Sequence, residues 1–240
     1  MFTYLLVFLA AYWGIGLAIL LVASLVTKLI FTGEERSDFG RCLLGGLFRG
    51  LTKSLELSGA LQISRIGVDA LERAEGPLII APNHPALWDV LFMLDISRDA
   101  ACIMKSSLFE NPLLSHGARF AGFLPNSPKL RMIRGAVTHL DNGGRLLIFP
   151  EGTRSGEEGV QEFRPGIALI AKQADAPVLP VFIRTSSPYL SKGWSLLRPP
   201  TFPIRIEISV GGRQRVADGE PTREFSERLE RLYRAQLSGC

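Results

Sequence analysis

Residues 77–89 read "PLIIAPNHPALWD", a short apolar run closed by proline, then a polar pair, then a second proline that opens a new pattern. The run is apolar throughout and bounded by turn residues, which predicts a buried strand. The stretch "PALWDVLFMLD" (85–95) has helical periodicity, with Pro85 at the expected first position, where its missing N–H costs nothing. A buried strand feeding a helix is the repeating unit of an α/β sheet.

The rest of the chain repeats the unit. Further strands are expected in "LQISRIGV" (61–68), "ACIMKS" (101–106), "RLLIFP" (145–150), "VLPVFIR" (178–184) and "PIRIEISV" (203–210), with helices in "GAVTHLDNG" (135–143) and "RPGIALIAKQAD" (164–175). The expected fold is therefore α/β, a mixed, largely parallel sheet flanked by helices. A charged amphipathic helix, "TREFSERLERLYRAQL" (222–237), is expected to dock through Phe225, Leu229 and Leu232.

Ahead of this body stand 27 residues without a charged side chain, ending at Lys28. A helix of that length rises about 40 Å, enough to cross a hydrocarbon core of roughly 30 Å with tilt. The segment is too long for a signal peptide and has no cationic start, so it reads as a membrane helix that spans or lies within one leaflet. Lys28, Arg36, Arg41, Arg49 and Lys53 outnumber Glu34, Glu35 and Asp38 just beyond it, which puts the remainder of the chain in the cytoplasm. The next piece, "FGRCLLGGLFRGLTKSLELSG" (39–59), is an amphipathic helix whose pattern fits the membrane interface and packing on the body equally. The expected division is membrane-anchoring helices over 1–58 and a catalytic domain over 59–240.

Composition narrows the function classes. Of 240 residues, 47% are hydrophobic, ample for a core, and Lys+Arg 27 against Asp+Glu 23 is a mixed surface that gives no footing for nucleic acid. Cys42, Cys102 and Cys240 are widely spaced and read as reduced thiols.

Two strand-to-helix junctions carry unusual polar residues, and such junctions are where α/β proteins bind ligands. In the first, His84 and Asp89 are five apart, about 140° around a regular helix, so they meet only if His84 stands outside it. Pro85 would put His84 in the cap, near the positive helix end that favours a neutral imidazole, with Asp89 orienting the ring. Asn83 reads as the helix N-cap or as part of a substrate-binding turn. The second junction, "LLIFPEGTRSG" (146–156), offers the backbone near Gly152, the Thr153 hydroxyl and the Arg154 guanidinium to a phosphate or carboxylate, and the same letters also read as a plain turn. His116 and His139 have no metal-ligand spacing, and no metal is expected.

Together the junctions resemble the glycerolipid acyltransferase family. "NHPALWD" is similar to its NHxxxxD motif, and "FPEGTRS" matches its FPEGTRS motif at every position. Lys105 after "CIM", "FRPG" (163–166) and "APVLPVFI" (176–183) resemble further family blocks. One block departs: where the family has an arginine for the acceptor's phosphate, "AGFLPNSPKLRMIRG" carries Asn126, leaving Arg131 or Arg134 as substitutes.

The resemblance implies attack of a lysophospholipid hydroxyl on an acyl thioester. His84 would be the base and Asp89 its orienting partner, with Asn83, Lys105, Arg131, Arg134 and the Glu151–Gly152–Thr153–Arg154 loop around the substrate. Glu151 is expected to shape the site rather than move protons. No bound cofactor is implied; acyl-CoA or acyl carrier protein is the co-substrate, and membrane lipid is the surrounding partner. The default acceptor is 1-acyl-sn-glycerol-3-phosphate. A lyso-lipid such as lyso-ornithine lipid, or an inactive lipid-binding protein on the same fold, are the alternatives. The absence of a G-x-S-x-G elbow counts against a serine hydrolase.

Overall fold

The computed structural model describes every residue except Met1, residues 157–158, 196–197 and 239–240, and the side chain of Glu72. Cys240 thus lies outside the described residues, while Cys42 is an exposed and Cys102 a buried free thiol.

The central strand is the apolar run of the opening stretch. β2 (Leu78–Pro82) is buried at every position, as a parallel strand covered on both faces must be. It lies between β5 (Arg145–Leu147) and β6 (Val178–Thr185), parallel to both. β3 (Ala101–Met104) pairs with β5, and β4 (Leu124–Pro125) adds two residues beyond it. On the other side β7 (Ile204–Val210) runs antiparallel to β6, and β1 (Leu61–Ile66) runs parallel to β7 at the edge. The seven strands are ordered β1-β7-β6-β2-β5-β3-β4, a mixed and largely parallel sheet. All six expected strands are present; β4 carries too short a pattern to be read locally, because a partner strand alone defines it.

Helices cover both faces. α4 (Asp89–Ile96) and α6 (Pro112–Phe120) lie on one face with the N-terminal helices, and α7 (Lys129–Asp141), α8 (Gly166–Gln173) and α9 (Thr222–Leu237) on the other. Phe225 and Leu229 of α9 are buried as expected, and Tyr233 joins them, accepting from Val181 N–H and donating to the Ala81 carbonyl. Each such buried side chain stabilises by about 1.5–3 kcal/mol. α3 (Asp69–Glu72) and α5 (Ser106–Phe109) are single turns.

The N-terminal segment forms a helical hairpin, α1 (Phe2–Thr27) and α2 (Gly33–Leu57). α2 packs on the body: Leu44, Phe48, Leu51 and Leu55 join the same core as α4, and buried Arg41 reaches Glu34, Asp38 and the Ala121 carbonyl. α1 is long and apolar enough to cross a membrane. It rests one stripe, Leu5, Gly16, Leu20 and Ser24, on α2 and α6, and Tyr12 donates to the Leu47 carbonyl at 2.6 Å. Val7, Ile15 and Val22 on its other side are at least 60% exposed.

One expectation fails. The helix after β2 begins at Asp89, four residues later than Pro85, because the N–H groups of Ala86 and Leu87 bond to the Asp89 carboxylate and the Leu190 carbonyl instead of starting a helix.

Candidate active site

His84 and Asp89 meet through that delayed start. Residues 85–88 form a turn that carries the chain from the end of β2 to the first residue of α4, and His84 Nδ1 stands 2.9 Å from Asp89 Oδ2. The same oxygen accepts from Ala86 N–H at 2.7 Å. The positive helix end expected to act on His84 therefore acts on Asp89, which opens α4. The imidazole is 14% exposed and lies over Phe149, ring centroids 4.2 Å apart. Because a carboxylate only accepts, Nδ1 carries the hydrogen, and Nε2 is left as the basic nitrogen.

Asp89 is almost wholly buried, and its Oδ1 has no hydrogen-bond partner among the described residues. Burial holds its carboxyl above the ordinary carboxylate range, opposed by the hydrogen bond and charge of His84. With the folded-state pKa raised, protonation favours the fold, so this group's stabilising contribution is full at low pH and is lost as pH rises through the raised value. Asp89→Asn removes the charge and keeps an oxygen for His84. We expect kcat to fall about 10²–10⁴-fold, as when a triad carboxylate is neutralised. The Tm at neutral pH stays level or rises, and a clear drop in Tm would show the ionised carboxylate to be net stabilising.

Glu151 joins the two junctions. Its Oε1 accepts from His84 N–H (2.9 Å) and Ser155 Oγ (2.8 Å), and its Oε2 accepts from Gln161 N–H (2.9 Å). The His84 carbonyl in turn accepts from Ser155 N–H at 2.7 Å. Among the described residues these contacts of the carboxylate are internal, an arrangement that braces the site, in keeping with the shaping part expected of Glu151. Asn83 is likewise turned inward. Its side-chain amide donates to the Ile183 carbonyl (2.9 Å) and accepts from Ile183 N–H (2.7 Å), extending the β2–β6 ladder by a side chain.

The anion cradle expected around Gly152 is also differently built. Gly152 has φ +66° and gives its N–H to the Phe149 carbonyl, and the exposed Arg164 lies against it, donating from Nε to the Glu151 carbonyl. Arg154 Nη1 bonds the Leu190 and Ser191 carbonyls, each at 2.9 Å, instead of facing open space. Thr153 is exposed beside them. Lys105, Arg131 and Arg134 are exposed cations following β3 and β4, at the same end of the parallel strands, and none bonds His84, Asp89 or Glu151. Asn126 is engaged locally, its Oδ1 accepting from Ser106 N–H and Oγ. Sequence reasoning missed Ser155, although it ends the quoted motif, and missed Phe149 and Gln161, whose parts are a ring face and a backbone N–H.

The family model described as "Acyltransferase" matches residues 62–184, a span that takes in both junctions. The chain belongs to the acyltransferase family. The 1-acyl-sn-glycerol-3-phosphate acyltransferase of Pseudomonas aeruginosa is 27% identical over 165 residues, 65% of this acyltransferase and 61% of the relative. The chloroplastic 1-acyl-sn-glycerol-3-phosphate acyltransferase BAT2 of Brassica napus is 23% identical over 132 residues, 53% of this chain and 38% of that one. The chain thus spans less than two thirds of the length of either relative. The crystal structure of the 1-acyl-sn-glycerophosphate acyltransferase PlsC from Thermotoga maritima superposes with a TM-score of 0.67 at 19% identity, covering 100% of both chains, and shares the fold.

Proposed function

We propose that this acyltransferase moves a fatty acyl group from an acyl thioester, acyl-CoA or acyl carrier protein, to a hydroxyl of a lysophospholipid. The first acceptor we infer is 1-acyl-sn-glycerol-3-phosphate, giving phosphatidic acid. The observation that carries the reading is the 2.9 Å contact of His84 Nδ1 with buried Asp89, which leaves Nε2 to take a proton. The acceptor hydroxyl gives its proton to Nε2 as its oxygen attacks the thioester carbonyl. The tetrahedral intermediate collapses, the C–S bond breaks, and the leaving thiolate takes the proton back from the imidazolium. His84 ends as it began. Asp89 holds the ring's tautomer and stabilises the transient charge, and Ser155, whose hydroxyl is bonded to Glu151, is not needed as a nucleophile.

Membrane association, with the body facing the cytoplasm, is part of the proposal. It is supported by the apolar outer side of α1 and by the cations that follow it. A second acceptor, a lyso-lipid without a phosphomonoester such as lyso-ornithine lipid, is favoured by one observation. Asn126, which the motif resemblance sets where the family carries an arginine for the acceptor's phosphate, is a neutral amide engaged with Ser106.

The test is turnover by the full chain in vesicles containing anionic lipid, with acyl-CoA and acyl carrier protein donors and a panel of lyso-acceptors. Transfer is expected to lysophosphatidic acid first, by protein that cosediments with the vesicles. Product from the ornithine acceptor alone would select the second reading. Absence of any transfer would leave lipid binding without chemistry, and protein remaining in the supernatant would overturn the membrane part.

A further inference from the structure

The segment after β6 crosses the catalytic turn. The Leu190 carbonyl accepts from Leu87 N–H at 3.1 Å as well as from Arg154, and Leu190 itself takes φ 63°, a left-handed conformation that a leucine holds only when its surroundings fix it. This turns Tyr189 inward, to 1% exposure. Its ring centroid lies 5.4 Å from that of Trp88, the residue just before Asp89, and 6.4 Å from those of Phe2 and Trp194. Phe2 belongs to the first turn of α1, so Tyr189 stands where the apolar helix meets the turn that carries His84.

The Tyr189 hydroxyl is buried without a hydrogen-bond partner among the described residues. Buried polar groups are nearly always paired, and an orphan beside a site asks for a ligand atom. Burial pushes the phenol pKa up, so at neutral pH the group is a donor. The ring packs against Phe2, Trp88 and Trp194, a setting that suits a neutral carbonyl at the foot of a hydrocarbon chain.

We propose that Tyr189 is a specificity-determining residue whose hydroxyl donates to the ester carbonyl of the acceptor's existing acyl chain, with that chain lying against Phe2, Trp88 and Trp194. The inference rests on the acyl-transfer reading above. Phe2 covers the ring in this structure, so the first turn of α1 moves aside to admit the lipid.

Tyr189→Phe keeps the ring and removes only the hydroxyl. Kinetics and tryptophan-emission titrations are run on wild type and variant with 1-oleoyl-glycerol 3-phosphate and with its 1-O-alkyl ether analogue, which lacks the carbonyl. Wild type is expected to prefer the ester about fivefold in kcat/KM and in affinity, the worth of one hydrogen bond. The variant loses that preference by falling on the ester alone, with Tm no lower. Equal losses on both lipids, no change on either, or a lowered Tm overturns the proposal. Tyr189-dependent ester preference in binding without any transfer would sink the acyl-transfer reading and keep the inference. Transfer without that preference would do the reverse, and a chain that neither binds nor acylates these lipids overturns both.

Discussion

His84→Ala is expected to lower kcat for acyl transfer about 10²–10⁴-fold, the usual worth of a positioned general base. The residue is partly exposed, and its fixed contacts run through its backbone: its N–H bonds Glu151 and its carbonyl accepts from Ser155. Alanine keeps both, so the turn survives the substitution. What is lost is the nitrogen that takes the hydroxyl proton, and what is left is Asp89 buried without its imidazole partner. The acceptor KM should move little, because the imidazole acts on the reacting hydroxyl and not on the lipid tail. Steady-state kinetics in the vesicle assay decide the matter, and wild-type kcat in the alanine variant would remove His84 as the base.

Glu151→Gln should be the most damaging change to the scaffold of the site. The carboxylate accepts three hydrogen bonds in a position only 2% exposed. An amide can put its oxygen toward His84 N–H and Ser155 Oγ, and its NH₂ then confronts the N–H of Gln161. The opposite flip turns NH₂ against the His84 N–H and strands that donor, while the Ser155 hydroxyl can rotate to accept. An unmet buried donor costs about 1–3 kcal/mol, which in a chain of this size lowers Tm by roughly 2–12 °C. Activity falls with it, by at least about tenfold, because Glu151 sets the backbone of His84 and small misplacements of a catalytic group are expensive. Thermal melting separates the two roles open to this residue. A glutamate that transferred protons would lose kcat on conversion to glutamine with Tm unchanged, whereas a brace loses both.

The fold was legible because burial is written locally. "PLIIAP" is apolar on both faces and becomes the central strand, whereas "PIRIEISV" alternates and buries Ile204, Ile206 and Ile208 on one face only. Such periods survive without knowledge of any neighbour. The start of α4 was not legible, since Pro85 is a good first helical residue and only the distant Leu190 carbonyl and the Asp89 carboxylate draw the following N–H groups away. The same holds for Asn83 and Arg154. Their side chains announce polar chemistry, but their partners are backbone carbonyls and N–H groups 100 and 36 or 37 residues away, and a backbone group has no residue-type signature.

By itself, then, the sequence determined the α/β class, the apolar first helix, and the two junctions whose letters pair a histidine with an aspartate and follow them with a glutamate loop. Only the tertiary structure decided how these meet. It drew α2 onto the body, where the pattern had fitted the membrane equally, because Arg41 and four apolar side chains find partners there. It placed Asp89 at the head of its helix and brought Glu151 under His84 from the loop after β5, 67 positions on, since hydrogen bonds across a parallel sheet join segments that the sequence holds far apart.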